Sequence, residues 1–217
     1  MFDRFGSDDV DDHEAARERM VETVAHRIDD GRVLEALEAI PRHEFVPENH
    51  RESAYADRPL PIGDGQTISA PHMVAIMADT LAVEAGDEVL EIGTGCGYHA
   101  AVTAEIVGSE NVYSVEYGEE LADRARETLA EIGYGDVSIR TGDGHNGWDG
   151  HAPYDAAYAT CAAAAFPSPV VSQVRAGGEV LAPIGQARQT LVHATKREDG
   201  SLERTEHGGV RFVRMRE

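Results

Sequence analysis

Lysine is almost missing from this chain: Lys196 is the only one among 19 basic residues, set against 40 aspartates and glutamates. Cysteine is scarce too. Cys96 and Cys161 cannot build a disulfide framework and do not make up a zinc-ligand set, so no metal site is expected. No stretch approaches the roughly 20 uninterrupted apolar residues of a membrane helix, and the N-terminus lacks the basic and apolar regions of a signal peptide. These absences predict a soluble, cytoplasmic protein with no membrane partner. The single tryptophan, Trp148, offers no base-stacking platform. The formal net charge of -21 also disfavours nucleic acid, whose affinity rests on Lys and Arg contacts to phosphate. Such a surface repels itself in dilute buffer, and concentrated salt shrinks the Debye length to a few Å. A salt-accumulating, halophilic host is therefore expected. Composition leaves the oligomeric state open, with a monomer as the default.

What is present fits one domain. The 217 residues suffice for a sizeable core and show no linker. Residues 1–12, with Asp8, Asp9, Asp11 and Asp12, read as an acidic, frayed tail. Residues 13–217 read as a single domain with an N-terminal helical extension. Met20, Val21, Val24 and Ile28 recur at helical spacing, and a second helix covers Val33 to Ala39 before Pro41. Residues 41–65 are rich in Pro, Arg, Asp and Gly and read as ordered loop with little regular structure. Apolar strands then alternate with amphipathic helices, predicting an α/β fold: a Rossmann-like, doubly wound, mostly parallel sheet with helices on both faces. Strands are expected at 88–92, 111–115, 137–140, 156–159 and 179–183. Residues 191–196 and 210–215 are expected to close the sheet as antiparallel strands around the turn Asp199-Gly200-Ser201.

The central motif is Val89-Leu90-Glu91-Ile92-Gly93-Thr94-Gly95-Cys96-Gly97-Tyr98, a buried strand running into glycines and then a helix. Glycines at a helix N-terminus let a ligand approach the backbone closely. A dinucleotide fingerprint would place a third glycine or alanine where Tyr98 stands, so the Gly-x-Gly-x-Gly spacing argues against a nicotinamide cofactor. Glu116 follows the next strand, 19 residues beyond Gly97, where a carboxylate can accept from both ribose hydroxyls of a nucleoside. Gly142-Asp143-Gly144 follows the strand after that, at the same sheet edge. Asp143 there can accept from an adenine amino group, although a bare tripeptide of this kind is also a simple turn.

These elements resemble the class I S-adenosylmethionine methyltransferases. Further residues narrow the resemblance to the protein-L-isoaspartate O-methyltransferase family. They are Pro41-Arg42-His43-Glu44-Phe45-Val46-Pro47, Tyr55-Ala56-Asp57 and the long run from Pro59 through Gln66-Thr67-Ile68-Ser69-Ala70-Pro71-His72-Met73. Tyr154-Asp155 and Gly177 to Gly185 add to it. The resemblance implies S-adenosyl-L-methionine as cofactor and S-adenosyl-L-homocysteine as product. It implies Thr67, Ile68 and Ser69 bordering cofactor and substrate, with Ser69 the catalytic residue. Gly93, Thr94, Gly95 and Gly97 would cradle the methionine part, Glu116 the ribose, and Asp143 with Gly144 the adenine, with Tyr117 also binding the cofactor. Ala70, His72, Ile184 and Gly185 would hold an isoaspartyl peptide or protein.

The sequence departs from the family pattern in three places. Val74 stands where some members carry a second histidine, Thr160-Cys161-Ala162-Ala163 replaces the usual glycine and alanines, and Phe212-Val213-Arg214-Met215 replaces a common Phe-Val-Pro-Leu that continues further. The last departure puts closure by a C-terminal segment in question. Together they keep an alternative open, a non-catalytic or retargeted relative or a methyltransferase for another substrate. Read from the residues alone, His72, His99, His145 and His151 are surface or packing histidines, Cys161 is a buried thiol, and Ser69 in isolation is a helix cap.

The implied chemistry is methyl esterification of an L-isoaspartyl carboxylate, the first step of its repair. A carboxylate with an ordinary pKa near 4 is already an anionic nucleophile at neutral pH, so no general base is needed. The enzyme must align the reacting atoms and exclude water, and the Ser69 hydroxyl suits the orienting role.

Overall fold

A computed structural model describes residues 8–216. Helix α1 (Asp8–Ala25) is the first described element. The acidic stretch from Asp8 to Asp12, expected as tail, is therefore already helical, and the rest of the expected tail lies outside the described residues. Met20 and Val24 bury the inner face of α1 against α2 (Gly31–Ala39) and α3 (Pro71–Leu81). Asp30 caps α2 by accepting from the Arg32 N–H, and the helix stops before Pro41, which disfavours helical geometry at the residue preceding it.

Residues 41–65 are more regular than expected. They form two 3-10 turns, Arg42–Phe45 and Glu48–Ser53, and strand β1 (Leu60–Gly63), which pairs antiparallel with β2 (Gln66–Ile68). The organiser is Arg42. Its side chain is fully buried, Nε donates to the Ala54 carbonyl at 2.7 Å, and the guanidinium lies 4.7 Å above the Tyr98 ring. Burial lowers its pKa, opposed by the neighbouring Tyr98. A desolvated cation held by a carbonyl and an aromatic face fastens this segment to α4 (Tyr98–Val107). A loop-like composition hid that tertiary anchor.

The seven-stranded sheet has the order β5-β4-β3-β6-β7-β8-β9. Strands β3 (Val89–Ile92), β4 (Val112–Glu116), β5 (Ser138–Thr141), β6 (Tyr154–Ala159) and β7 (Val174–Ile184) run parallel. Strands β8 (Gln189–Lys196) and β9 (Leu202–Val210) are antiparallel. Helices α4, α5 (Glu119–Glu131) and α6 (Ser168–Gln173) lie between strands in the chain. Successive residues of one strand serve different cores: Val89 joins the cluster around Leu37, Val102 and Tyr158, and Leu90 joins that around Val115, Phe166 and Val180. This is why β3 is buried along its whole length and apolar at every position but Glu91.

The closing strand differs from expectation. The partner of β8 is 202–210, not 210–215, because pairing starts right after the turn, at Lys196 with Leu202, and runs out at Gln189 with Val210. Strand β9 is largely exposed, so its side chains lack the apolar alternation that marks half-buried strands. The more apolar 211–216 leaves the sheet and crosses its C-terminal edge.

Candidate active site

Strand β3 is hydrogen-bonded to β4 on one side and β6 on the other, which makes the ends of β3 and β6 the topological switch point where a crevice opens. The strand ends are tied together there: the Gly93 N–H donates to the Val115 carbonyl at 2.8 Å and the Thr160 N–H to the Ile92 carbonyl at 2.9 Å. Gly93 has φ +98°, and a Cβ on it would stand 2.6 Å from Thr160 Oγ1, so this position accepts only glycine without strain. Glu116, at the end of β4, accepts from the Gly95 N–H on Oε2 at 2.8 Å and from the Gly118 N–H on Oε1 at 2.9 Å. Only 7 % exposed, the carboxylate is fixed by backbone, yet each oxygen retains acceptor capacity.

Three adjoining cavities share Thr67 and Thr160. The first is a cleft of about 530 Å³ between Gly93, Gly95, Glu116 and Tyr117 on one side and Val213 to Arg216 on the other, with Gly144 and Cys161 in its wall. The second is a small chamber of about 300 Å³ behind the glycine loop, bordered by Ser69, Val74, Thr94, Tyr98 and His99. The third, of about 1110 Å³, opens to solvent past Ser69, Ala70, His72 and the segment Gly209–Val213. Ser69 borders the second and third alike.

Beneath the glycine loop runs a buried polar network. Ser114 Oγ and Tyr158 OH donate to the Glu91 carboxyl at 2.5 and 2.9 Å, Thr94 shares a hydrogen bond with Ser114, and Thr103 one with Tyr158. Burial pushes the Glu91 carboxyl up to about 8 despite those bonds, so it is largely neutral at pH 7. His99 packs on the Tyr158 ring with centroids 4.6 Å apart. Burial drives its pKa down to about 3, so the imidazole is neutral, and its Nδ1 has no hydrogen-bond partner among the described residues. A buried polar atom left unpaired costs about 1–3 kcal/mol.

Most residues expected at the site converge. Thr67, Ile68, Ser69, Gly93, Thr94 and Gly95 border the cleft or the chamber, and Glu116, Tyr117 and Gly144 border the cleft. Gly97 borders neither; at φ +92° it starts α4, packed against Leu129. Ala70 and His72 border the open cavity, where His72 Nδ1 lies 2.7 Å from Asp57 Oδ1. Although burial opposes it, the His72 hydrogen bonds hold the Asp57 carboxyl below its usual value. The Asp143 carboxylate is turned to its own loop: it accepts from the His145 N–H and caps a 3-10 turn, while Gly144 reaches the cleft. Ile184 and Gly185 do not border the three cavities. They sit at the end of β7 against Ala163, with the Gly185 N–H donating to its carbonyl.

Ser69 is not the helix cap, since α3 has Ala70 at that position and no side-chain cap. Cys161 is buried, with its thiol pushed up to about 12 by burial, but it also lines the cleft. Sequence reasoning noted Thr160 only as a departure from the family pattern, read His99 as a surface or packing residue and left closure by the C-terminal segment in question. Thr160 was within reach, since it follows a strand whose C-terminal end faces the crevice. The closing segment is held by two backbone bonds, Ala162 N–H to the Val213 carbonyl and Met215 N–H to the Ala162 carbonyl, and by Arg216, whose Nη1 meets Asp64 Oδ2 at 2.6 Å. Residues Val213 to Arg216 are thereby fixed along one side of the cleft. Among the described residues, no cluster of His, Cys, Asp or Glu could hold a metal ion.

A parallel sheet with a Gly-x-Gly-x-Gly loop at its switch point and a fixed acid at the end of the adjoining strand defines an S-adenosylmethionine-dependent methyltransferase. The family profile described as protein-L-isoaspartate(D-aspartate) O-methyltransferase matches residues 15–217. Protein-L-isoaspartate O-methyltransferase 2 of Archaeoglobus fulgidus is 50% identical over 207 residues, covering 94% of each chain. The protein-L-isoaspartate O-methyltransferase of Methanothrix thermoacetophila is 48% identical over 198 residues, 91% of this chain and 93% of the other. A solved protein-L-isoaspartate O-methyltransferase superposes with a TM-score of 0.85 at 28% identity, over 91% of this chain and 65% of its own. A Plasmodium falciparum structure in complex with S-adenosyl-L-homocysteine shares the fold, with a TM-score of 0.79 at 22% identity over 94% and 98% of the two chains. This chain belongs to the protein-L-isoaspartate(D-aspartate) O-methyltransferase family.

Proposed function

We propose that this chain uses S-adenosyl-L-methionine to methyl-esterify the carboxylate of L-isoaspartyl residues in damaged proteins and peptides, which begins their repair. One observation carries the reading: a cleft lined by the glycine loop and Glu116, the chamber behind that loop and an open cavity meet at Thr67 and Thr160, with Ser69 between the chamber and the open cavity. The residues present fit the cofactor. The glycine loop exposes backbone, Glu116 offers both oxygens to ribose hydroxyls beside Tyr117, Gly144 supplies a wall without Cβ for the adenine, and the loop at Thr94 and Gly95 takes the methionine end. The bound cofactor supplies a methyl group made electrophilic by its sulfonium.

The protein's own work is alignment and exclusion of water. The Ser69 hydroxyl donates to one oxygen of the incoming carboxylate and turns the other toward the cofactor; no proton need be removed. Ala70 and His72 line the peptide's path, the Asp57 contact fixes the His72 ring, and Arg211 offers a cation to an acidic peptide approaching a protein of net charge -21. Asp143 holds its loop so that Gly144 faces the cleft. Ile184 and Gly185 act by bracing Ala163, which in turn anchors the closing segment through Ala162. That segment excludes water from the cleft.

We further place the protein in the cytoplasm of a halophile, as a monomer without nucleic-acid partners. The acidic surface and the solitary Lys196 support this, and no helix among the described residues is long and apolar enough to cross a membrane. The test is incubation in molar potassium chloride with methyl-labelled cofactor and two peptides differing only in isoaspartate or aspartate. Base-labile label on the isoaspartyl peptide alone is expected; equal labelling of both would end the repair reading. An unfolding midpoint that failed to rise with potassium chloride would count against the halophilic host.

A further inference from the structure

The chamber behind the glycine loop contains a binding element that the mechanism above does not use. Its wall includes the first turn of α4, a helix of 10 residues whose start at Gly97 carries no side-chain cap and no acidic residue. The first-turn N–H groups of an uncapped helix are unsatisfied donors at the positive end of its dipole. His99 stands in that turn, only 7 % exposed, lining the same chamber and with Nδ1 unpartnered among the described residues. Val74 of α3 lies on another wall of this chamber, so the imidazole of His99 is its one titratable side chain besides Cys96 and Tyr98.

We propose that His99 is a cofactor-binding residue, its ring N–H donating to the α-carboxylate at the amino-acid end of S-adenosylmethionine, with the uncapped turn of α4 supplying the complementary positive field. This rests on the cofactor assignment above. Position separates the two candidate carboxylates. The chamber is bordered by Gly93, Thr94 and Gly95, the loop assigned to the methionine end, whereas none of these borders the open cavity that takes the peptide. In the empty site burial keeps the ring neutral, with its pKa down at about 3, so one ring nitrogen carries the N–H that donates. Packing on Tyr158, itself hydrogen-bonded to Glu91 and Thr103, fixes the ring plane before the ligand arrives.

The experiment compares two probes that differ at that end, S-adenosylhomocysteine and 5′-methylthioadenosine, by calorimetry in molar potassium chloride on the wild type, H99L and H99Q. The H99L variant should lose about tenfold or more in affinity for S-adenosylhomocysteine, the scale of a hydrogen bond to a charged group, and less than about twofold for methylthioadenosine. H99Q, which keeps an N–H, should recover most of the loss. Equal losses for both probes, or none for either, would overturn the proposal, as would an effect confined to peptide KM. A measurement on the unsubstituted protein guards against a misfolded variant: the His99 ring nitrogen resonances should shift with S-adenosylhomocysteine and not with methylthioadenosine, and unchanged resonances with both would also overturn it. A wild type that bound neither probe would instead sink the cofactor assignment itself.

Discussion

The two sides of the crevice are built differently. The cofactor side comes from nearby stretches of chain, β3, the glycine loop, α4 and the end of β4, and its working groups are buried and held by backbone: Glu116 by the N–H groups of Gly95 and Gly118, Gly93 by Val115. The peptide side joins residues 59–73 to residues 209–213, far apart in the chain, and several of its side chains face water. The contrast follows from what each must bind. A cofactor of constant shape rewards a rigid, preorganised backbone. A damaged residue arrives in many peptide contexts, so its side of the crevice needs only a fixed point at Ser69 and an open approach.

Substitutions on the cofactor side should therefore act through backbone and burial, and those on the peptide side through single polar contacts. Gly93→Ala should have the largest effect. The left-handed backbone costs about 1–2 kcal/mol for a non-glycine residue and the clash with Thr160 about 1–3 kcal/mol more, so urea unfolding should show the folded state losing about 2–5 kcal/mol; a loss below about 1 kcal/mol would break the contrast. Glu91→Gln tests the buried layer by pH. The carboxyl titrates near its ordinary 4.5 when unfolded and at about 8 when folded, so the folded state holds the extra proton between those values. Its stabilising contribution is full below pH 4.5 and is lost as pH rises through 8. The variant should lack that fall, and urea unfolding at pH 5 and pH 8.5 should differ less for it than for the wild type, by on the order of a few kcal/mol. Parallel pH profiles would place Glu91 outside the pattern.

On the peptide side, Ser69→Ala should lower kcat by about 10- to 100-fold, the scale of one orienting hydrogen bond, and leave the Kd for S-adenosylhomocysteine within about twofold. If Kd moved as much as kcat, Ser69 would belong with the cofactor. The smallest effect is expected from Arg211→Glu, a rise in peptide KM of about threefold in dilute buffer that disappears in molar salt, where exposed charges are screened. Persistence of the rise in salt would show a direct contact instead of a field effect.

The cofactor side was legible in the sequence for the same reason that it is rigid. Gly93, Gly95 and Glu116 sit at strand ends that apolar runs mark plainly, and a parallel sheet forces such ends to one edge. On the peptide side, Thr67, Ser69 and His72 were found through the family run, not through periodicity. His99 was read as a packing residue because an imidazole in an apolar helix looks the same whether its nitrogen faces a wall or a chamber. The last strand was misplaced because β9 is exposed and polar, while the more apolar Phe212 and Val213 belong to the closing segment.

The sequence by itself determined the strand and helix alternation, the glycine loop and the acid that follows it, because these depend on local backbone freedom and on burial patterns written along the chain. Only the tertiary structure decided that Arg42 fastens residues 41–65 to α4, that residues 211–216 leave the sheet to cross the cleft, and that His99 faces a chamber with its Nδ1 unpartnered. Those outcomes depend on which surfaces meet across long separations in the chain, and distance in space is not encoded in the periodicity of any single segment.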